Sequence, residues 1–479
     1  MTLARRTQFW REQLSPQCLV YDWFAAIHDL LSYQATGLIV VEPDMAQAKV
    51  FQQHGDSLEA HLSDFETLPE SARQEVNESL EALSRASLAR EFHIARLFGW
   101  LKLIDAQFYG LNISTPSSGS IAVLSARTRL IEAGTLSSSD VFGWVGPKAM
   151  SGERGKNVAS YLHNLSYANC SAAAEVVHQT VYLPRGLPER QPLTVAVLPV
   201  VHDPAELLWE FNERTYVVSP SPDRIEVIAE RTIAALDSIL GKAQIVVMPE
   251  LVSHREIEAR VRAWLSEQAA DIRPVALFCG SALIKADARL PRNEATLIWD
   301  SGSNFVRQHK MNAYTFAPSH RSDVHIAGAH ANLSYVEGID TAPYRVEVVD
   351  LVGVGRLAVM ICEDLDRQDP WRTILKALGP NLCVVPVMNG SDWGWAKKDA
   401  EIVANETGTS LIVVNSGTLL PAGCSDSAMF ARCYGPKLLN GEYWTMTCVD
   451  QDSTADGPQW LLFRGLASQK WPLRHGVDV

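Results

Sequence analysis

The sequence predicts an α/β fold over residues 190–479, preceded by a mostly helical module over residues 1–185. Helical spacing of apolar residues dominates the first part of the chain. A stretch rich in Pro and Gly, "PRGLPERQP" (184–192), then interrupts the pattern. After it, short β-branched runs alternate with helical patterns, which is typical of α/β domains. We therefore place the main domain boundary at this stretch.

Helix is the main prediction up to about residue 110. In "SARQEVNESLEALSRASLAREFHIARLFGWLKLI", apolar residues recur at intervals of three to five. The residues of this apolar pattern are Leu80, Leu83, Leu88, Phe92, Leu97 and Leu101. A Ser-rich break, "STPSSGS" (114–120), follows this region.

The C-terminal part contains apolar runs of strand length, and such strands are buried on both faces or inside a layered sandwich. The runs are "LTVAVLPV" (193–200), "AQIVVMPE" (243–250), "PVALFCGSAL" (274–283), "EATLIWD" (294–300), "RLAVMIC" (356–362), "LCVVPV" (382–387) and "SLIVVNS" (410–416). Between them, "DRIEVIAERTIAALDSIL" and "HREIEARVRAWLSE" have helical periodicity, and Asp223 is a candidate cap of the first.

Length and composition restrict the classes of protein to which the chain can belong. Its 479 residues suffice for two or three domains, and 47% of them are hydrophobic. A net charge of -13 disfavours nucleic acid as a partner of this chain by itself. The eight cysteines contain no CxxC pair, so we expect a reduced, cytoplasmic compartment. No apolar window is long enough to predict a membrane span or an export signal.

Three residues that could carry chemistry lie at or near the ends of apolar runs. Glu250 ends "IVVMPE", Lys310 follows "LIWDSGSNFVRQHK", and Cys362 ends "RLAVMIC". The ends of strands are where α/β layers present side chains to a crevice. Each residue also has a structural explanation: Glu250 as the first exposed residue after a strand, Lys310 as a hairpin surface charge, and Cys362 as a small core residue.

Taken together, the three residues match the needs of acyl transfer. A thiol needs a neighbouring base, and the carbonyl oxygen that becomes anionic needs a fixed donor. With these residues in this order, the sequence resembles the carbon–nitrogen hydrolase (nitrilase) superfamily, whose catalytic Glu, Lys and Cys follow strands of this kind. The resemblance implies that Glu250 is the general base, Lys310 the oxyanion stabiliser and Cys362 the nucleophile.

The resemblance covers most of residues 193–450. It is carried by "VVMPEL", by "NEATLIWDSGSNFVRQHKMN" with Asn293 at its start, by "VGRLAVMICED", and by "LGPNLCVVPVMNGSDWGW" with the helix and strand that follow it, ending in Asn415. It implies a four-layer α-β-β-α sandwich for residues 190–479. It also implies that Glu363, Asn389 and Trp395 contact the substrate.

Within the superfamily, "ICEDL" looks most like the glutaminase portion of glutamine-dependent NAD synthetases. Such a protein needs a synthetase domain downstream, where "PAGCSDSAMF" (421–430) has some likeness to a pyrophosphate-binding SGGxDS loop. Ala422 and Cys424 replace the first Ser and the second Gly of that loop. Only about fifty residues follow, too few for a nucleotide-binding α/β domain. We therefore interpret this segment as a late loop and strand of the hydrolase domain.

One feature departs from the superfamily pattern. Many of its enzymes have a second active-site glutamate between the lysine and the cysteine, and the expected place in this chain falls near His330. The first glutamate after Lys310 is Glu337, directly before Gly338. The role is thus absent, moved, or taken by a histidine such as His330, which would then lie at the substrate. A degenerate, non-catalytic binding or regulatory module on the same fold stays open.

Three histidines between the lysine and the cysteine raise the question of a metal site. His320, His325 and His330 are spaced by five residues, which is poor for one helix face and alternates faces on a strand. We therefore interpret them as polar loop residues and expect no metal or organic cofactor.

The combined prediction is hydrolysis of a non-peptide C–N bond, as an amidase, through a thioester on Cys362. The expected substrate is a small-molecule amide or nitrile. The N-terminal module of about 185 residues is not part of the minimal superfamily pattern, so we expect it to mediate homo-oligomerisation or to dock a protein partner. Two alternatives are a binding module and a hydrolase component of a larger assembly, such as an ammonia donor or a bacterial defence system.

Overall fold

A computed structural model of the chain separates into two compact units, Met1–Ser171 and Ala172–Lys470. Each unit is treated by itself below. The residues that the structure describes are 3–34, 67–85, 90–107, 121–125, 165–169, 174–182, 194–201, 203–285, 290–317, 329–330, 332–352, 355–367, 371, 375, 380, 382–390, 394–407, 409–419, 430–434, 447–451 and 461–464.

The first unit combines helices with one antiparallel pair of strands. Its described elements are α1 (Leu3–Gln13), α2 (Val20–Gln34), α3 (Glu70–Ser84), α4 (Arg90–Gln107), β1 (Ile121–Ser125) and β2 (Leu165–Asn169). The helices bury one apolar core, to which α2 contributes Trp23 and Phe24, and α4 contributes Leu97 and Leu101. The side chain of Trp10 in α1 donates a hydrogen bond of 2.8 Å to Asp29 in α2.

The predicted apolar pattern of this unit is only partly buried. Leu80, Leu83, Leu97 and Leu101 are core residues, whereas Phe92 is exposed. Because each helical residue turns the chain by about 100°, the five residues from Phe92 to Leu97 place the two side chains on different faces of α4. Leu88 lies outside the described residues.

The contact boundary between the units differs from the boundary predicted at 185–190. Strand β3 (Ala174–Tyr182) pairs in parallel with Tyr344–Val352 along its whole length, so it belongs to the second unit. It is the edge strand of its sheet. The Pro/Gly-rich stretch that predicted the boundary therefore follows this strand and comes after the boundary between Ser171 and Ala172.

The second unit is a mixed α/β structure. Its described elements continue with β4 (Thr194–Val197), β5 (Leu207–Asn212), β6 (Thr215–Pro220), α5 (Ile225–Ile239), β7 (Ile245–Val247), α6 (Arg255–Glu267), β8 (Ala276–Ile284), β9 (Arg292–Trp299), β10 (Asn304–His309), β11 (Thr315–Phe316), β12 (Tyr335–Glu337), β13 (Tyr344–Val352), β14 (Gly355–Val359), β15 (Leu382–Val387), α7 (Gly394–Thr407), β16 (Ser410–Asn415), β17 (Ala431–Tyr434), β18 (Thr447–Gln451) and β19 (Leu461–Arg464).

Two of its sheets share an apolar core. One has the strand order β10-β9-β8-β7-β4-β19-β18, and the other has the order β17-β16-β15-β14-β13-β3. Alternate residues of both contribute to the same cluster: Val195, Val197, Ile245, Val247, Phe278, Leu351, Leu357, Val384 and Ile412. The sequence predicts that these apolar runs are buried on both faces or inside a layered sandwich, and the shared core covers one face of each sheet.

The other face of the first sheet packs against helices. Ala196, Val246 and Leu277, which alternate with the residues of the shared core, join a second cluster with residues of α5 and α6. Helix α7 packs against β16 and β17 of the second sheet. The first sheet is thus covered on both faces, which accounts for the nearly continuous apolar sequence of its central strands.

A smaller sheet, which was not predicted, has the order β11-β12-β6-β5. The hairpin β5–β6 pairs in parallel with β12 through Tyr216 and Glu337. Aromatic rings pack together on it, and the centroids of Trp209 and Tyr216 lie 6.0 Å apart. This sheet positions β12, which carries one of the carboxylates of the site.

Among the helices that the structure describes, none is both long enough and apolar enough to span a membrane. The structure describes the side chains of five cysteines, and none of them forms a disulfide: Cys18, Cys279, Cys362, Cys383 and Cys433.

Candidate active site

The ends of three strands bring the predicted Glu250, Lys310 and Cys362 together. Glu250 lies in the loop after β7, Lys310 directly follows β10, and Cys362 begins the turn after β14. The ammonium of Lys310 donates a hydrogen bond of 2.8 Å to Oε1 of Glu250. The Cys362 thiol lies close enough to the Glu250 carboxylate for the two groups to shift each other's pKa. Glu250 and Lys310 are almost fully buried, whereas Cys362 is partly exposed.

A bulge in the neighbouring strand β8 holds the loop that carries Glu250. The pairing of β8 with β9 shifts between Phe278 and Ser281. Ser281 then binds the loop twice, because its N–H donates to the carbonyl of Pro249 and its hydroxyl accepts from the N–H of Leu251 at 3.0 Å. Gly280 makes the bulge possible, since its φ is +70° and a Cβ there would lie 2.1 Å from the Pro249 oxygen.

Glu337 is a second carboxylate on Lys310, which favours the alternative that the role of the second glutamate has moved along the chain. Its Oε2 accepts a hydrogen bond of 2.7 Å from the Lys310 ammonium. His330 is instead an exposed residue whose backbone N–H donates to the hydroxyl of Tyr335. The signal was present in the sequence, because Glu337 was the first glutamate after Lys310. The expected spacing misled, since the small sheet brings β12 to the lysine.

Asn293 links the two carboxylates on the side away from the lysine. Its amide nitrogen donates to Oε1 of Glu250 and to Oε1 of Glu337, both at 3.0 Å. The residue is fully buried at the start of β9. Lys310, Glu250, Asn293 and Glu337 thus form a closed ring of hydrogen bonds. In the sequence, Asn293 is distinguished only as the start of a motif.

Burial and charge together set the ionisation of the site. Burial raises the pKa of Glu250, and the Lys310 ammonium acts against it. For Lys310 burial acts to lower the pKa, but Glu250 and Glu337 outweigh it and the pKa is raised well above its ordinary value. Burial, followed by the charge of Glu250, raises the pKa of the Cys362 thiol. The resting thiol is therefore protonated, with a carboxylate beside it to accept the proton.

The backbone of Cys362 is held in an unusual conformation. Its φ is +48°, in the left-handed region that residues with a Cβ seldom adopt. Cys362 is also the first residue of a short 3₁₀ turn, Cys362–Leu365. Backbone strain of this kind persists only where the surrounding structure enforces it, and it is concentrated at functional sites.

Asp364 supplies part of that enforcement. Its buried carboxylate accepts hydrogen bonds from the N–H groups of Met311 and Ile361 and from the Asn312 side chain, the last at 2.8 Å. It therefore ties the residues after Lys310 to the turn that carries Cys362. Burial raises the pKa of Asp364 to about 7, against the hydrogen bond from Asn312.

The structure gives the predicted substrate-contacting residues different environments. Glu363 is partly buried and forms a salt bridge of 2.6 Å with Arg367. Asn389 lies after β15, and its backbone N–H and carbonyl bond the side chain of Asn415 at 2.8 and 2.9 Å. Trp395 lies in the first turn of α7, and its side chain is outside the described residues. Their contact with a substrate stays a prediction.

Two tyrosines near the site were not singled out from the sequence. Tyr216 pairs with Glu337 across the parallel strands β6 and β12, so the two side chains project from the same face. The backbone N–H of Tyr314 donates a hydrogen bond of 3.1 Å to Oε2 of Glu337, and its carbonyl accepts one of 2.9 Å from the backbone N–H of Glu337. Burial, followed by the charge of Cys362, raises the pKa of Tyr314 to about 12. The sequence feature that could have identified Tyr314 is its position four residues after Lys310.

The described residues contain no group of three or more His, Cys, Asp or Glu side chains arranged to hold a metal ion. Of the three histidines considered above, His320 and His325 lie outside the described residues. The absence of a metal therefore stays a prediction.

No protein-family model and no curated protein sequence matches the chain. Among solved structures, similarity is found to amidases of Nesterenkonia. A cysteine-to-alanine mutant of the Nesterenkonia AN1 amidase from the nitrilase superfamily has a TM-score of 0.36 and 16% identity, over 60% of this chain and 96% of that one. A glutamate-to-glutamine mutant with the acetamide moiety of fluoroacetamide added covalently at the active-site cysteine has a TM-score of 0.37 and 16% identity, over 59% and 95%. A further Nesterenkonia sp. amidase structure has a TM-score of 0.35 and 15% identity, over 59% of this chain and 95% of that one. All three TM-scores are below 0.5, so the function proposed below rests on the side chains of this chain alone.

The bulge at Gly280 can be tested with a matched pair of glycines. Gly280 and Gly241 have nearly the same φ, +70° and +74°, but a Cβ at Gly241 meets only Ile272 at 3.7 Å. We expect Gly280→Ala to lower the free energy of unfolding by at least about 2 kcal/mol more than Gly241→Ala. Chemical denaturation of both variants measures the difference. Equal losses would contradict a steric role for Gly280.

Asp364→Asn tests the buried carboxylate. Because the pKa of Asp364 is raised from 3.8 to about 7, its contribution to stability is present below its ordinary pKa and is lost as the pH rises through about 7. We therefore expect the stability of the wild type, relative to Asp364→Asn, to fall between these pH values. Denaturant unfolding over this range measures it, with the exposed neighbour Asp366→Asn as control. A difference that does not change with pH would contradict the prediction.

Proposed function

We propose that the second unit hydrolyses a non-peptide C–N bond, as an amidase of the carbon–nitrogen hydrolase superfamily, through a thioester on Cys362. One observation carries the proposal. A buried ammonium, that of Lys310, lies between two buried carboxylates beside a partly exposed thiol. Base, oxyanion partner and nucleophile are thus present in one place.

The cost of this arrangement argues against a purely structural role. Taking a lysine and two glutamates out of water costs several kcal/mol per ion before their attraction offsets it. Apolar residues of similar volume would stabilise a core at least as well. The thiol provides the reason for keeping the charges, because a proton acceptor and a cation beside it serve nucleophilic catalysis.

The proposed reaction begins with proton transfer. Glu250 accepts the thiol proton of Cys362 as the sulfur attacks the carbonyl carbon. The developing oxyanion is held by the Lys310 ammonium and by the backbone N–H of Glu363, the residue after the nucleophile. The tetrahedral adduct then collapses, the C–N bond breaks, and Glu250 returns the proton to the leaving nitrogen. A thioester and a free amine result.

Hydrolysis of the thioester completes the cycle. Glu250, again ionised, removes a proton from water, whose oxygen attacks the thioester carbonyl. The C–S bond breaks, and the thiolate recovers its proton from Glu250 as the acid leaves. Glu337 has no proton to transfer in this scheme. Through its bond to Lys310 it keeps the ammonium charged and oriented.

We extend the proposal to the architecture and the substrate. The two sheets with a shared core, α5 and α6 on one side and α7 against the other sheet, support a four-layer α-β-β-α sandwich. The "ICEDL" motif, which resembles glutaminase portions of NAD synthetases, adds glutamine to the amides worth testing.

A covalent intermediate is the direct test. The full-length chain is incubated with a panel of amides, including glutamine, and with ureides and nitriles, and its intact mass is recorded. We expect an acyl adduct on Cys362 that Cys362→Ala abolishes. Cys433→Ala, which removes another partly buried thiol that forms no disulfide, serves as the matched control and should retain the adduct. An adduct that survives Cys362→Ala, or none with any compound, would promote the binding-module alternative.

Glu250→Gln tests the base. The amide keeps the shape of the side chain but cannot accept the thiol proton, so we expect alkylation of Cys362 by iodoacetamide to slow about 100-fold or more. Glu258→Gln is the matched control, because Glu258 is also buried but bonds Thr296 and Arg307 instead. Equal rates for the two variants would refute the role of Glu250.

A further inference from the structure

We propose that Asn293 is a positioning residue that directs one oxygen of Glu250 toward the Cys362 thiol and holds the two carboxylates around Lys310. The inference deepens the proposed function and rests on it. Asn293 itself contacts neither the thiol nor, in the proposed scheme, the reacting carbonyl. It acts through Glu250 and Glu337.

The two oxygens of Glu250 differ in the hydrogen bonds that they accept. Oε1 accepts two hydrogen bonds, from Lys310 at 2.8 Å and from Asn293 at 3.0 Å. A carboxylate oxygen has two lone pairs, so these donors fill Oε1. The second oxygen, Oε2, is left to accept the thiol proton. Without Asn293, the carboxylate could rotate about its last bond and offer Oε1 instead.

The ring of hydrogen bonds contains more negative than positive charge. Two carboxylates share one ammonium, and like charges this close repel each other. The amide of Asn293 has two N–H bonds, and each points to one carboxylate. It therefore holds both without adding a charge. A second cation at this position would compete with Lys310 for both carboxylates.

The carbonyl oxygen of the same amide indicates why this position holds Asn. Oδ1 of Asn293 is buried and, among the residues that the structure describes, has no hydrogen-bond partner. The reversed amide would point this oxygen at two carboxylates, so the orientation is determined by charge. An apolar residue would avoid the unpaired oxygen. Asn is thus explained by its two donors rather than by packing.

The charged and titratable groups that face Glu250 come from five segments. They are Lys310 after β10, Tyr314 before β11, Glu337 on β12, Cys362 in the turn after β14, and Tyr216 on β6. Burial raises the pKa of Glu250, and Lys310 opposes it. Donation from Asn293 to the ionised carboxylate also opposes it, so loss of the amide should raise this pKa further.

The experiment measures the rate of Cys362 alkylation by iodoacetamide against pH in the full-length chain, from about pH 4 to about pH 9. Wild type, Asn293→Ser and Asn293→Leu form a series with two, one and no side-chain N–H or O–H donors. We expect the midpoint of the acidic limb to rise along this series, by about one pH unit for Asn293→Leu. Thr296→Val removes a buried hydrogen bond from the same strand to a different glutamate, Glu258, and should leave the midpoint of the acidic limb unchanged.

The outcomes separate the two proposals. If Glu250→Gln abolishes the acidic limb but both Asn293 variants titrate like Thr296→Val, the positioning role is overturned and the proposed function stands. If the wild type has no acidic limb that depends on Glu250, both are overturned. Should Asn293→Leu fail to fold, as thermal unfolding would reveal, Asn293→Ser decides alone by whether its midpoint rises above that of Thr296→Val.

Discussion

The site depends on the burial of one ammonium group between two carboxylates. An unpaired lysine at the depth of Lys310 would lose its proton or disrupt the core, because desolvation disfavours the charged form. Glu250 and Glu337 reverse this and keep the amine charged. The three residues come from a loop after β7, the end of β10, and β12. The ion pairs therefore constrain the relative positions of two different sheets.

Around this cluster, backbone features are arranged so that side chains stay in place. The bulge in β8 lets Ser281 hold both sides of Glu250. Asp364 connects the residues after Lys310 to the strained turn at Cys362. The hydrogen bonds that Asp364 accepts from the segments after β10 and β14 thus hold the strained backbone of Cys362 in place. The Asp364 carboxylate is itself buried, and its raised pKa makes this part of the fold sensitive to pH.

The small sheet explains how Glu337 reaches the buried Lys310. The hairpin β5–β6 precedes α5, pairs with β12 and aligns Tyr216 with Glu337. Glu337 is then held by its strand as well as by Lys310, Asn293 and the backbone of Tyr314. Its position in space is fixed by strand pairing, and its distance along the chain from Lys310 is free to vary. This accounts for the failure of spacing to locate it.

The sequence by itself determined the local features of this protein. Apolar runs predicted the strands and the polar residues at their ends, because those signals lie within a few consecutive residues, and the resemblance to the carbon–nitrogen hydrolase superfamily implied that Glu250, Lys310 and Cys362 would meet. Contacts between distant segments could not be predicted in the same way. The assignment of β3 to the second unit, the choice of Glu337 over His330, and the bridge made by Asn293 all depend on which strands pair. Many pairings are compatible with one apolar pattern, and only the packed tertiary structure selects among them, since each buried charge must find its partner there.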